Sequence, residues 1–155
     1  MPLPVAPRRL AYRTAYRLLQ VSWLLRRPSK HGVKCLLTHR RRILLVRHTY
    51  GRRAWDLPGG AIKRHEAPVS AARREMLEEL GVEPLRWTDL GPVRGISEHR
   101  RDTIHCFAAE LPSPAIKLDY GELATASWFA HRDLPPHLGP YVAPILRHAS
   151  AAARL

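Results

Sequence analysis

The sequence predicts a chain of mixed α and β structure, either α+β or an α/β/α sandwich around a mixed β-sheet. Three observations carry this. Short apolar runs come in pairs joined by polar turns, the signature of hairpins. One strongly helix-forming stretch, Pro68 to Leu80, follows a strand-like segment and a Gly-Gly loop. A second helical stretch, Tyr141 to Leu155, is Ala-rich and basic near its end, which suits a helix dipole. At 155 residues the chain supports one domain with its own core. Its 45% hydrophobic and 25% charged content is ordinary for a globular protein.

The charge balance is less ordinary. Lys+Arg 26 against Asp+Glu 13 gives +13, and only Lys30, Lys34, Lys63 and Lys117 are lysines. An Arg-rich surface attracts phosphates, nucleic acid or anionic lipid. Residues 1 to 55 hold no Asp or Glu. Within them, Arg8 to Arg27 reads as an amphipathic helix ended by Pro28, with Arg9, Arg13 and Arg17 four residues apart as a basic strip. Its second half, with Leu18, Leu19, Val21, Trp23, Leu24 and Leu25, is very apolar but too short to span a bilayer. No small-residue cleavage pattern follows, which argues against a secretory signal. Three readings stand for this helix. It packs on the domain, it lies on an anionic membrane surface, or it is an organelle-targeting segment. Residues 1–29 are thus set apart from a domain over 30–155.

Val33 to Thr38 and Ile43 to His48 read as a hairpin with Arg40, Arg41 and Arg42 at its tip. Tyr50, Arg52, Arg53 and Trp55 form a loop rich in groups that stack on bases or pair with phosphates, and are the candidate substrate contacts. Leu85 to Leu90 reads as a strand, Gly91-Pro92 as a break, and Val93 to Ile96 with Thr103 to Glu110 as an antiparallel pair joined through Glu98 to Asp102. Pro112 and Pro114 end that run, and Ala126 to Ala130 is the last strand. Cys35 and Cys106 lie in apolar runs with no metal-ligand spacing, as expected of buried free thiols in a reducing, cytoplasmic compartment. The nine histidines are scattered, with no pair at helical metal-ligand spacing.

The stretch with chemistry is Gly60 to Val82. From Pro68 to Leu80, Ala, Arg, Glu, Met and Leu favour helix. Pro68 suits the first turn and Gly81 the position past the end. Val69, Ala72, Met76 and Leu80 share a core-facing stripe at about 100° per residue. Glu75, Glu78 and Glu79 share another, where they repel each other near the end whose dipole favours cations. Arg74 relieves part of this. Such a crowd of hard oxygens is the ligand set that Mg²⁺ (or Mn²⁺) asks for. The loop of residues 61 to 67 can fold back and add Glu66 and the Gly60 carbonyl to that face.

Gly60, Glu66, Arg74, Glu75, Glu78, Glu79 and Gly81, with apolar Met76 and Val82, match every fixed position of the signature of the Nudix hydrolases, and the chain resembles that family. Seven identities at fixed spacing arise by chance about once in 10⁸ starts. One departure is local: the family's usual Gly-Glu-Ser/Thr is His65-Glu66-Ala67 here, which loses a hydroxyl N-cap worth about 1 kcal/mol. The resemblance covers residues 30 to 150 and implies the α/β/α sandwich, the Nudix fold. It also implies that Glu122, on a loop before a Trp-Phe strand, reaches the metal site, and that His131 to Pro135 turns into the last helix.

The implied activity is Mg²⁺-dependent hydrolysis of a diphosphate bond in a nucleoside diphosphate linked to a further group X. Gly60, Glu66, Glu75, Glu78 and Glu79 would hold metal. Either Glu78 or Glu122 would orient or deprotonate the water, and Arg74 would fix a glutamate rotamer. Three other readings compete: hydrolysis at a 5′-triphosphorylated RNA end, hydrolysis of a lipid-linked diphosphate at the inner membrane face, and a non-catalytic nucleotide-binding module. The implied partner is a small nucleotide substrate rather than nucleic acid, with homodimerisation common in the family and an anionic membrane a partner for residues 8–27.

Overall fold

The structure is a computed structural model and describes residues 5–26, 29–97 and 100–151. Five strands, β1 (Ser29–His39), β2 (Arg42–His48), β3 (Thr88–Ser97), β4 (Arg100–Glu110) and β5 (Leu123–Ala130), form one sheet in the order β3-β4-β1-β2-β5. The β1–β4 pair is parallel and the other pairs are antiparallel, so the sheet is mixed. Helices α1 (Val5–Arg26), α2 (Pro68–Leu80) and α3 (Val142–Ala151) complete the described elements. The side chains of Trp23, Leu24 and Leu25, the connector residues Glu98 and His99, and the end of the last helix lie outside the described residues.

Side-chain alternation along each strand makes the sandwich. Val33, Cys35 and Leu37 of β1, Leu44 and Val46 of β2, and Phe107 and Ala109 of β4 face α2, where they meet Ala72, Met76 and Leu80. Leu36, Ile43, Leu45, Ile104 and Cys106 face the other way, onto Val142, Ile145, Leu146 and Ala149 of α3. Strands buried on both faces read as continuous apolar runs, as Val33 to Leu37 does. Both cysteines are buried and free.

The first hairpin turns on two residues, Arg40 and Arg41, both left-handed (φ 45° and 62°); Arg42 already pairs with His39. This is the two-residue turn whose twist suits a hairpin. The second expected break is corrected. Leu85 is 95% exposed and precedes the sheet, while Gly91 and Pro92 lie inside a single strand, β3. The register shifts between Asp89 and Gly91, with Gly91 at φ 81° and its N–H donating to Asp89 Oδ1 at 2.8 Å. A bulge at the sheet edge absorbs the glycine and tolerates a proline with no N–H to give.

The sheet is forked where the site forms. Strands β1 and β2 pair at Thr38–Ile43 and His39–Arg42, and the segment from Asp56 to Gly60 lies between them further on. Asp56 exchanges two backbone hydrogen bonds with Val46 of β2. On the other side Cys35 N–H donates to the Pro58 carbonyl and Val33 N–H to that of Gly60, both at 2.9 Å. Trp55-Asp56, expected as a strand end, makes only isolated bridges, to Leu138 and Val46.

Helix α1 is docked on the loops at this end of the sheet. Arg8 donates to both oxygens of Asp119 at 3.0 and 2.8 Å, and Arg9 Nε to the Tyr120 carbonyl at 2.7 Å. Tyr12 stacks on Tyr50 at 6.1 Å between ring centres, and Tyr16 meets it tilted at 4.9 Å. Packing on the domain is therefore what the structure shows for residues 8 to 16. Leu10, Leu18, Leu19 and Val21 face outward. Among the described residues, no helix is long and apolar enough to cross a membrane.

Candidate active site

Helix α2 starts at Ala67 with no side-chain cap, as the missing hydroxyl predicts, and Pro68 opens its first turn. It ends on Gly81 in the left-handed conformation (φ 62°), whose N–H closes on Leu77 while Val82 N–H closes on Met76. The bond from Gly81 to Leu77 is the closure of a simple left-handed helix end. The frame fixes which glutamates point inward. Glu75 and Glu79, one turn apart, are 8% and 1% exposed. Glu78 does not share their stripe: its side chain is 56% exposed.

Arg74 gathers much of this charge. Its guanidinium donates to Glu66 at 2.8 and 2.9 Å, to Glu75 at 2.6 Å, to Glu78 at 3.2 Å and to the Ala61 carbonyl at 3.0 Å. Glu66 Oε2 also accepts the Lys63 N–H. These Arg74 hydrogen bonds, then that of the Lys63 N–H, hold the Glu66 carboxyl down at about 2. Glu66 thus reaches the acidic face, with both oxygens engaged by Arg74. The Gly60 carbonyl accepts from Val33 and keeps a second lone pair. Gly60 itself makes room for Glu75: a Cβ there would lie 2.5 Å from the Glu75 carboxyl carbon.

Glu79 sits deeper. Gly59 N–H donates to its Oε2 at 3.1 Å, while Oε1 is buried with no hydrogen-bond partner. Burial first, then the Glu122 charge, pushes its carboxyl well above the ordinary range. Glu122 comes from the loop before β5. Asp119 N–H donates to the Glu79 carbonyl, and Thr49 N–H to that of Glu122, so α2 and the residue just past β2 both hold this loop. The Tyr50 hydroxyl donates to Glu122 Oε1 at 2.9 Å. Burial raises the Glu122 carboxyl, and the Tyr50 hydrogen bond partly offsets it.

A third group completes the cluster. The ligand-capable atoms of His48, Glu79 and Glu122 all lie within 4.8 Å of one another. His48 is half-buried, but its Nδ1 is fully buried and has no hydrogen-bond partner. Burial lowers its imidazole to about 4, with Lys34 adding to the effect, so the ring is neutral at neutral pH. Sequence reasoning missed His48 because its partners stand far along the chain. The only local signal was a polar ring closing the apolar run of β2.

Beside the cluster lies a cavity of ≈ 200 Å³ lined by Lys34, His48, Tyr50, Arg52, Arg53 and Gly60, among others. Glu75, Glu79 and Glu122 do not line it; they adjoin it across Gly59, Gly60 and His48. A wider cleft of ≈ 830 Å³ runs on under α1, with Arg13, Arg17, Arg52 and Arg53 around Tyr16 and Tyr50. Arg52 and Arg53 therefore reach both spaces. Tyr50 is placed as a donor to Glu122 and is flanked by rings, including that of His48 at 5.3 Å. Trp55 is not brought to the cavity. It packs edge-on against Phe129 at 5.0 Å, under the Arg47 guanidinium at 5.5 Å, in the layer facing α3.

Glu79, buried, and Glu122, half-buried, both have a raised affinity for protons and must lose them to bind a cation. Adding Mg²⁺ or Mn²⁺ to lightly buffered protein at about pH 6 should therefore acidify the solution, and metal affinity should rise with pH between about 5 and 8. Titration calorimetry in two buffers of different ionisation heat reads the released proton; an affinity flat across that range contradicts the placement.

A sequence model of the NUDIX domain family matches residues 28–149. The 8-oxo-dGTP diphosphatase of Buchnera aphidicola is 39% identical over 46 residues, covering 30% of this chain and 37% of that protein. The RNA pyrophosphohydrolase of Marinomonas sp. is 37% identical over 69 residues, covering 44% of this chain and 43% of that one. The chain thus spans less than half the length of these two curated relatives. The crystal structure of a MutT NUDIX hydrolase from Burkholderia pseudomallei superposes with a TM-score of 0.72 and 26% identity, over 77% of this chain and 97% of that one. With the fold, the Gly60–Val82 stretch and the match over residues 28–149 in agreement, the chain belongs to the NUDIX domain family.

Proposed function

We propose that this chain is a pyrophosphohydrolase, dependent on Mg²⁺ or Mn²⁺, that cleaves the diphosphate bond of a nucleoside diphosphate linked to a further group X. The observation that carries the reading is Glu79. Its carboxylate is buried beside the half-buried carboxylate of Glu122, and one of its oxygens has no hydrogen-bond partner among the described residues. Such a group is costly unless a cation satisfies it. A divalent ion bound there would neutralise diphosphate charge and lower the pKa of water toward neutrality.

The chain's own residues supply the rest. Arg52, Arg53 and Lys34 line the adjoining cavity with positive charge suited to phosphates. Lys34 is anchored by Asp56 at 2.7 Å and the Leu57 carbonyl at 2.9 Å. The Tyr50 hydroxyl holds Glu122 Oε1, and on this reading Glu122 takes a proton from the attacking water. Water oxygen bonds to phosphorus, the bridging P–O bond breaks, and the leaving phosphate carries the electron pair. Glu78, exposed and tied to Arg74, is the second candidate for the proton.

The test is product release from a panel of dNTPs, ADP-ribose, NADH, dinucleoside polyphosphates, CDP-alcohols and 5′-triphosphorylated RNA, at several Mg²⁺ and Mn²⁺ concentrations. Glu78→Gln and Glu122→Gln serve as controls. Whichever carboxylate handles the proton should cost at least about a hundredfold in turnover when replaced. Near-normal turnover in both variants would overturn the reading.

The RNA-end reading has one observation in its favour, the arginine-lined cleft under α1. Binding of RNA there would fall steeply with salt, and that of a small nucleotide less. On our reading the setting is cytoplasmic, homodimerisation is open to sedimentation, and the outward leucines of α1 are the part that would meet an anionic membrane.

A further inference from the structure

We propose that His48 is a nitrogen ligand of the divalent ion held by Glu79 and Glu122, and that it turns the site's preference from Mg²⁺ toward Mn²⁺ and the later first-row ions. The inference rests on the reading that this cluster binds a divalent metal. Three features support it. The ligand-capable atoms of the three residues lie within 4.8 Å of one another. Two ligand atoms on one ion stand about 3 to 4.3 Å apart, given bond lengths of about 2.0–2.2 Å, so small side-chain rotations close the set.

The second feature is a pair of orphans. His48 Nδ1 and Glu79 Oε1 are both fully buried, and neither has a hydrogen-bond partner. Buried polar atoms in folded proteins are nearly always satisfied. Two residues that bring ligand-capable atoms within 4.8 Å of one another, each also carrying a partnerless buried atom, are satisfied together by a cation. A histidine serving only the core would have Nδ1 bonded to a neighbour, as His39 Nδ1 is with the Leu111 carbonyl at 2.8 Å.

The third feature is the support around the donors. Glu79 is held through Oε2 by the Gly59 N–H, and its Oε1 is without a partner among the described residues. Glu122 is held through Oε1 by Tyr50, whose ring also flanks that of His48. Outer hydrogen bonds of this kind fix ligand rotamers. The donor chemistry then decides the ion. Mg²⁺ takes oxygen ligands and keeps several waters. Imidazole suits Zn, Cu, Fe and Ni, and affinity at a mixed nitrogen and oxygen site rises from Mn²⁺ onward.

The experiment is electron spin echo spectroscopy on the full-length protein loaded with one equivalent of Mn²⁺. Modulation from a directly bound ¹⁴N is expected, replaced by the ¹⁵N pattern on histidine labelling and lost in His48→Gln. In competition titrations, His48→Gln should weaken Mn²⁺ at least about tenfold and Mg²⁺ less than about threefold. Far-UV circular dichroism checks that the variant folds, and the wild-type spectrum stands without it. Bound Mn²⁺ with no nitrogen coupling, coupling that persists in His48→Gln, or equal losses for both ions each overturns the inference and leaves Mg²⁺-dependent hydrolysis standing. Failure to bind Mn²⁺ or Mg²⁺ at all sinks both.

Discussion

Glu79→Gln should lower turnover at least about a hundredfold and, in the same protein without metal, raise the melting temperature. The two effects share a cause. Glu79 is 1% exposed and close to Glu122 and Glu75, and among the described residues only Gly59 N–H donates to it. Folding must either strip water from that charge or protonate it, and both are unfavourable at neutral pH. Gln keeps an oxygen for the Gly59 N–H and removes the charge. In a chain of this size each kcal/mol relieved raises the melting temperature by about 2–4 °C.

The pH dependence has a definite sign. With the folded carboxyl raised above its unfolded value, the folded state of the metal-free wild type binds more protons than the unfolded state. Its stability therefore falls as pH climbs from about 4.5 toward the raised folded value. Glu79→Gln lacks that contribution to the fall. Thermal melts in chelator from pH 5 to 8, beside turnover with metal, check both halves; parallel stability profiles would show that burial of Glu79 is not what costs stability.

Gly59→Ala should unfold the domain or come close to it. Gly59 adopts φ 148°, which side chains rarely tolerate, and an added Cβ would lie 2.1 Å from the Val33 carbonyl oxygen. That oxygen belongs to a central strand and cannot give way without opening the fork between β1 and β2. The Val33–Gly60 and Cys35–Pro58 hydrogen bonds would go with it, and so would the Gly59 N–H that holds Glu79. A loss of more than about 3 kcal/mol is expected, against a typical total of about 5–15 kcal/mol. Gly91→Ala is the comparison. Its φ of 81° is also strained, but nothing lies within 4 Å, so about 1–2 kcal/mol is expected. Urea melts of the two variants rank them, and a milder effect at Gly59 would contradict the fork.

Much of this was legible in the sequence because its signals are local. Pro68 and Gly81 bracket α2, the hairpin of β1 and β2 turns on its arginines, and alternation along the strands builds both layers. Edge position is not local, so Gly91-Pro92 read as a break where an edge strand bulges. Nor is the fork, which exists only because residues 56–60 pair with Val33 and Cys35 on one side and Val46 on the other. Helical angle groups Glu78 with Glu75 and Glu79, but its side chain is 56% exposed, and what it shares with Glu75 is the Arg74 partner. The Tyr50 to Trp55 loop carries the right residue types for nucleotide contact. Yet Trp55 points into the α3 layer, and the rings of α1 cover Tyr50. His48 has no spacing to betray it.

The docking of α1 separates two boundaries that are commonly drawn in one place. The family match begins at residue 28, and among the described residues neither core cluster includes a residue of α1. A protein trimmed to the matched region would keep its sheet, both hydrophobic layers and every residue of the Gly60–Val82 stretch. It would lose Arg8 from Asp119, Arg9 from the Tyr120 carbonyl, and two rings from Tyr50. Those contacts brace the segments on either side of Glu122. The region that the family model matches is thus smaller than the unit that braces the loop carrying Glu122, and the difference is one helix.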